Sequence, residues 1–157
     1  MIISFKNTHQ EAQGTVKKRD ILRFCALTPY KYTRSLCATC KCAQSEVRWI
    51  QLYVDDTLVG LAVCQYEQER RKEGCLCILQ HLIISPSFQR KGLGTMLLKH
   101  IIHEGIPIML SVDGTQHVID FYTKHGFEPV ESLPILMCTT SIPSREALII
   151  SLEYSMF

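Results

Sequence analysis

The sequence predicts a mixed α/β domain with the element order β-α-α-β-β-β-α-β-α-β-β, and three observations carry that prediction. The stretch CLCILQHLIISPSFQRKGLGTMLLKHIIHEG, Cys75 to Gly105, runs from an Ile/Leu-rich segment through Ser85-Pro86 into a segment where Leu97, Leu98, Ile101 and Ile102 recur at helical spacing. Upstream, VRWIQLYV and LVGLAV flank Asp55-Asp56, the pattern of two antiparallel strands around a tight turn. Downstream, Val118, Phe121, Tyr122 and His125 mark one helix face, closed by Gly126 and bordered by the short apolar runs 106–112 and 127–130.

Taken in order, Met1–Lys6 opens the sheet. Glu11–Leu27 mixes Val16, Ile21, Leu22, Phe24, Cys25 and Leu27 with basic and acidic residues, which favours an amphipathic helix broken at Thr28-Pro29. A second helical piece is expected over Thr33–Ala43. The hairpin strands Val47–Val54 and Leu58–Val63 follow, then the charged run Glu67–Gly74, read as a solvated connection. Leu76–Ser85 is the central strand, ended because proline cannot donate to a ladder. Its helix ends at Gly105, and Ile106–Val112 returns to the sheet with Pro107 near its start. Asp113-Gly114-Thr115 supplies a turn and an N-cap for the next helix. Phe127–Val130, Leu133–Cys138 and Ala147–Tyr154 are the remaining extended segments, the last two separated by a loop over Thr139–Arg145.

A length of 157 residues with 46% hydrophobic content suits one domain over 1–157 with a core of ordinary size. A net charge of +2 is too mild to argue for a nucleic-acid partner, which more often shows a dense basic face, and none is expected. The opening Met1–Phe5 is too short for a signal-peptide core, and no run approaches the ~18 apolar residues of a membrane span, so a soluble, cytoplasmic protein is expected. Eight cysteines in such a chain are expected as reduced thiols. Cys37-x-x-Cys40-x-Cys42 has metal-like spacing, but a structural zinc site needs four ligands and no second close pair follows, so no metal is expected.

Between central strand and helix lies Gln89-Arg90-Lys91-Gly92-Leu93-Gly94-Thr95. Its glycines let backbone approach a ligand, and a helix starting there offers N–H groups and a positive dipole end to an anion such as phosphate. It is neither a Gly-x-x-x-x-Gly-Lys-Ser/Thr loop nor a Gly-x-Gly-x-x-Gly turn, because Leu97 stands where the third glycine would be. Gln89-x-x-Gly92-x-Gly94, preceded by Leu82-Ile83-Ile84-Ser85-Pro86, resembles the acetyl-CoA motif of the GNAT superfamily of N-acyltransferases, Gln/Arg-x-x-Gly-x-Gly/Ala after an apolar strand. Phe121-Tyr122-Thr123-Lys124-His125-Gly126-Phe127 is similar to a second recurrent family pattern, Phe-Tyr-x-Lys-x-Gly-Phe, at a similar distance downstream. The predicted element order matches that of the family over nearly the whole chain.

The resemblance implies acetyl transfer from acetyl-CoA by direct attack of an amine while both substrates are bound. It implies that backbone N–H groups of Gln89, Arg90, Lys91, Gly92, Leu93, Gly94 and Thr95 hold the CoA pyrophosphate, and that main-chain groups of Leu82, Ile83 and Ile84 position the thioester. Tyr122 is the implied acid that protonates the departing thiolate, a phenol being a proton donor at neutral pH; the alternative is a core aromatic like Phe121. The sequence departs from the family at the base: where many members carry Glu or His on the central strand, this chain has Gln80 and Ile78. His81 is adjacent, but strand alternation turns it to the other face unless a bulge intervenes, which favours a packing histidine. The family's Asn after the fifth strand is here Thr115. The implied partner is an amine on a small molecule or a protein, with a homodimer among the allowed assemblies. A non-catalytic CoA-binding or regulatory module of the same fold is the alternative function, and a zinc-dependent interaction protein built on Cys37, Cys40 and Cys42 a third.

Overall fold

The computed structural model describes residues 1–9, 23, 24, 26, 46–68, 75–130, 133–139 and 142. The strands are β1 (Ile3–His9), β2 (Glu46–Val54), β3 (Thr57–Gln68), β4 (Cys75–Ile84), β5 (Ile108–Ser111), β6 (Phe127–Val130) and β7 (Leu133–Thr139). The helices with described bounds are α1 (Leu93–Ile102) and α2 (Gln116–Lys124), and a 3-10 turn lies at Pro86–Phe88. The strands form a seven-stranded mixed sheet of order β1-β2-β3-β4-β5-β7-β6. Arg23, Phe24 and Ala26 are helical, within the predicted Glu11–Leu27 helix. The rest of that helix, the helical piece Thr33–Ala43 with Cys37, Cys40 and Cys42, and the strand Ala147–Tyr154 lie outside the described residues.

The chain divides into two compact units, Met1–Glu67 with Leu79–Glu104, and Gln68–Ile78 with Gly105–Phe157, so that β4 contributes to both. In the first unit β1, β2 and β3 are antiparallel neighbours. The β2–β3 turn places Asp55 and Asp56 at φ 46° and 66°, the doubly left-handed geometry of a two-residue hairpin whose twist matches the strands. Asp55 ties this turn to the start of β1: its N–H donates to Ile2 O at 2.9 Å and its Oδ1 accepts from Ile2 N–H at 2.8 Å. One core cluster gathers Phe24, Val47, Trp49, Leu61, Val63 and Ile83. Helix α1 buries Leu93, Leu97, Leu98 and Ile101, a single stripe at helical spacing. Beyond its C-terminus Glu104 accepts from Arg48 (2.7 Å) and the Tyr66 hydroxyl (3.0 Å), while the Arg48 guanidinium stacks 4.5 Å from the Tyr66 ring centre.

In the second unit β4 pairs with β5 in parallel over only Cys77↔Ile108 and Ile78↔Met109, while β5 and β6 each pair antiparallel with β7. Leu76, Ile78, Met109, Val130, Leu136, Cys138 and Ile142 form its core. Two sequence expectations change. Strand β3 runs to Gln68, so Glu67 and Gln68 belong to the sheet and not to the solvated connection, because Glu46↔Tyr66 pairing carries the ladder past the apolar segment. Strand β5 is shorter than Ile106–Val112, since Pro107 offers no N–H and its carbonyl is instead taken by Cys77 N–H at 2.9 Å.

Gly60 in β3 is set by packing: a Cβ there would lie 2.8 Å from Ile84 Cδ1 and 3.2 Å from Leu52 Cβ. Gly60→Ala is expected to cost about 1–3 kcal/mol through overpacking. Removing the contacting methyl in Gly60→Ala/Ile84→Val is expected to cost less than the two single changes summed, as read from urea unfolding of the three variants.

Candidate active site

The turn from β4 into α1 is built to leave helix N–H groups facing outward. Pro86 starts the 3-10 turn after Ile84, Phe88 N–H returns to Ser85 O at 2.8 Å, and the Gln89 side chain reaches back from Nε2 to Ile84 O at 2.9 Å. Arg90 and Gly92 then take left-handed φ values of 59° and 78°. For Arg90 that conformation stores roughly 1 kcal/mol, which glycine avoids. Gly92 is the N-cap and carries no side-chain acceptor; the first intrahelical bond runs from Met96 N–H to Gly92 O at 3.0 Å. The preceding N–H groups, on Leu93, Gly94 and Thr95, therefore have no acceptor within the helix. No acidic residue stands in the first turn, and Arg90 and Lys91 are exposed beside it. Uncapped N–H groups, the helix dipole and two cations in one place favour negative charge there.

On β4, Gln80 donates from Nε2 to Gln65 Oε1 at 2.6 Å, Ile83 packs in the cluster of Leu61 and Val63, and Ile84 lies against Gly60. Burial alternates from Gln80 to Ile84, with His81 and Ile83 buried and Gln80 exposed. The His81 ring is buried, as a packing histidine requires. Gln80 is exposed between buried Leu79 and His81. Gln65 in turn donates from Nε2 to Glu67 Oε1 at 2.7 Å, a connection unanticipated from the sequence.

In the second unit, Tyr122 lies on α2 with only 9% of its surface exposed. Its ring meets Phe121 and Phe127 edge-on, at 5.1 Å and 5.5 Å between centres. Thr115 is the N-cap of α2 but gives no side-chain cap; its N–H donates to Asp113 Oδ1 at 3.0 Å. Gly126 follows the helix at φ 90°.

Residues 45–129, more than half of the chain, match the family model described as an acetyltransferase (GNAT) domain. The chain belongs to the GNAT acetyltransferase family. Solved structures agree on the GNAT fold. The PaiA N-acetyltransferase of Thermoplasma acidophilum in complex with coenzyme A is 17% identical with TM-score 0.59, covering 88% of this chain and 99% of that one. A GNAT family acetyltransferase of Streptococcus pneumoniae is 23% identical with TM-score 0.60, covering 83% and 91%. Arabidopsis thaliana Naa50, bound to a bisubstrate analogue, is 17% identical with TM-score 0.54, covering 88% and 98%. No curated protein matches the sequence significantly.

Within the GNAT sheet, the β4 turn brings Gln89 to Thr95 together at one helix start and leaves Leu82, Ile83 and Ile84 on the strand that feeds it. The alternation of Cys64 and Tyr66 with Gln65 and Glu67 was the available sign that β3 continues and that Gln65 and Glu67 share a face. Burial lowers the His81 imidazole to a pKa of about 4, from 6.5. Below 6.5 the unfolded chain binds a proton that the folded chain refuses, so this site's stability is complete above about 6.5 and drains as pH falls to about 4. Urea midpoints measured from pH 7 to pH 4.5 are expected to fall more steeply for the parent protein than for His81→Leu, and parallel curves would show that His81 is not the group refusing the proton.

Proposed function

We propose that this protein is an N-acetyltransferase that moves the acetyl group of acetyl-CoA to a primary amine, on a small molecule or a protein, by direct attack with both substrates bound. The observation that carries the reading is the uncapped start of α1 at Gly92, flanked by Arg90 and Lys91. Bound acetyl-CoA supplies an acetyl group activated as a thioester. The Gln89 N–H closes the 3-10 turn on Pro86 O at 3.3 Å, so the N–H groups that hold the pyrophosphate are those from Arg90 to Thr95, and the β4 main chain at Leu82, Ile83 and Ile84 orients the thioester. Tyr122 gives its phenolic proton to the departing CoA sulfur, by its place in the Phe121-Tyr122-Thr123-Lys124-His125-Gly126-Phe127 pattern, while water takes the proton that the attacking amine loses and returns one to the phenolate.

The second reading, a CoA-binding module without turnover, is favoured by one observation: Gln80 and Ile78 supply no carboxylate or imidazole on β4. Release of free thiol from acetyl-CoA across a panel of primary amines distinguishes the two. Turnover with any amine supports the enzyme, and binding of CoA without turnover on all of them supports the module.

At Gly94, in the first turn of α1, a branched side chain would crowd an anion on the helix N–H groups. Gly94→Val is expected to weaken CoA binding roughly tenfold or more in calorimetry, about 1.4 kcal/mol, with the circular dichroism spectrum retained. Unchanged affinity would remove the cofactor assignment. Tyr122→Phe keeps the ring against Phe121 and Phe127 and is expected to lower kcat about 10²-fold while acetyl-CoA affinity holds. A Phe variant with parental turnover would return Tyr122 to a packing role, which Tyr122→Ala would then reveal as a fall in melting temperature.

A further inference from the structure

The last turn of α2 does not close as an α-helix would. The His125 N–H bonds to Tyr122 O at 3.0 Å and the Gly126 N–H to Thr123 O at 3.1 Å, each three residues back, so the helix tightens to 3-10 form as it reaches Gly126. In a continued α-helix the His125 N–H would go to Phe121 O, four residues back. The His125 side chain takes that carbonyl instead, with Nδ1 2.6 Å from Phe121 O. A carbonyl oxygen only accepts, so Nδ1 carries the hydrogen and that edge of the ring is tied down. The half-buried imidazole also lies against the Phe121 ring, with 4.8 Å between centres and a tilt of 52°. Phe121 is therefore held at its carbonyl and at its ring. It in turn meets Tyr122 edge-on, as Phe127 does.

We propose that His125 is a positioning residue for Tyr122: it braces Phe121 and the last turn of α2, and so fixes where the phenol presents its hydroxyl. The inference rests on the reading of Tyr122 as the acid that protonates the departing thiolate. Tyr122 stands in the last turn of a nine-residue helix, and helix ends fray. A proton donor placed there needs the turn closed by something more than backbone, because transfer requires the hydroxyl within hydrogen-bond reach of the sulfur and small misplacements cost rate steeply. Neighbouring side chains on a helix diverge by about 100°, so Phe121 and Tyr122 touch at ring edges only while each keeps its rotamer. The hydroxyl lies on the axis of its own ring, and rotation about that axis leaves it in place. What moves it is a swing of the whole side chain, which the edges of Phe121 and Phe127 oppose. His125 fills a position that the Phe-Tyr-x-Lys-x-Gly-Phe pattern leaves open, so the brace belongs to this chain's own residue.

The test uses the full chain, acetyl-CoA and the best-used acceptor from a panel of spermidine, a lysine-containing peptide and a peptide with a free N-terminal amine. His125→Leu fills the place of the ring without a donor for Phe121 O, and is expected to lower kcat about tenfold while the KM for acetyl-CoA holds. His125→Asn keeps a donor nitrogen as far from the backbone as Nδ1 and is expected to recover most of that loss. A role confined to filling space predicts the reverse order, since leucine is the closer match in volume, and that order overturns the proposal. On the Tyr122→Phe background His125→Leu is expected to cost nothing further, because no phenolic proton is left to aim. Melting temperatures read beside kcat separate aim from folding, and His125→Met, whose unbranched chain fits irregular space, replaces His125→Leu if that variant folds poorly. Parental kcat in His125→Leu, or the same tenfold loss repeated on the Tyr122→Phe background, overturns this assignment and leaves Tyr122 as the acid. Parental kcat in Tyr122→Phe, or no turnover by the parent protein on any amine, overturns both.

Discussion

A helix that begins without a side-chain cap must find acceptors for its first N–H groups outside itself, and the first structural unit is arranged around that requirement at Leu93, Gly94 and Thr95. The loop before it spends its own polar groups on itself. Gln89 bonds back to Ile84 O, and Phe88 N–H to Ser85 O, so these do not turn inward to fill the helix start. Left-handed backbone at Arg90 and Gly92 then aims the chain into the helix without a side chain at the cap. The cost in local strain is small, and the return is a concentration of donors and positive charge where an anion can reach them.

The central strand answers a second constraint, that of serving two neighbours with different demands. Its first residues pair with β5 and pack with Met109 and Leu136, and its last residues pack at Gly60 and in the Trp49 cluster. Between the two ends, Gln80 sets an exposed polar side chain in an otherwise mostly buried strand and bonds across to Gln65.

Much of this was legible in the sequence because it is local. Ser85-Pro86, Gly92, Gly105 and Gly126 punctuate the chain at positions where φ or a missing donor requires those residues, and the helix stripes follow from periodicity alone. What was not legible depends on register across strands. Glu67 looked like the start of a charged loop because the run continues Gln68-Glu69-Arg70-Arg71, and only the ladder with β2 shows where the strand stops. The Gln80–Gln65 bond belongs to the same class: fifteen positions separate the partners, and nothing in either segment names the other.

The far end of α1 has a consequence for its near end. Arg48 from β2 and Tyr66 from β3 both grip Glu104, just beyond the last turn, with the guanidinium lying over the phenol ring. A rod clamped to two strands at one tip, with Leu97, Leu98 and Ile101 wedged against the interior, has little freedom to slide or pivot when a ligand arrives at the other. The donors at Gly92 to Thr95 are then held in place before any encounter, and the entropy of ordering them is settled during folding rather than deducted from affinity. Weakening this distant clamp would loosen an anion's grip through added motion at the helix start, with none of the groups that touch the anion altered.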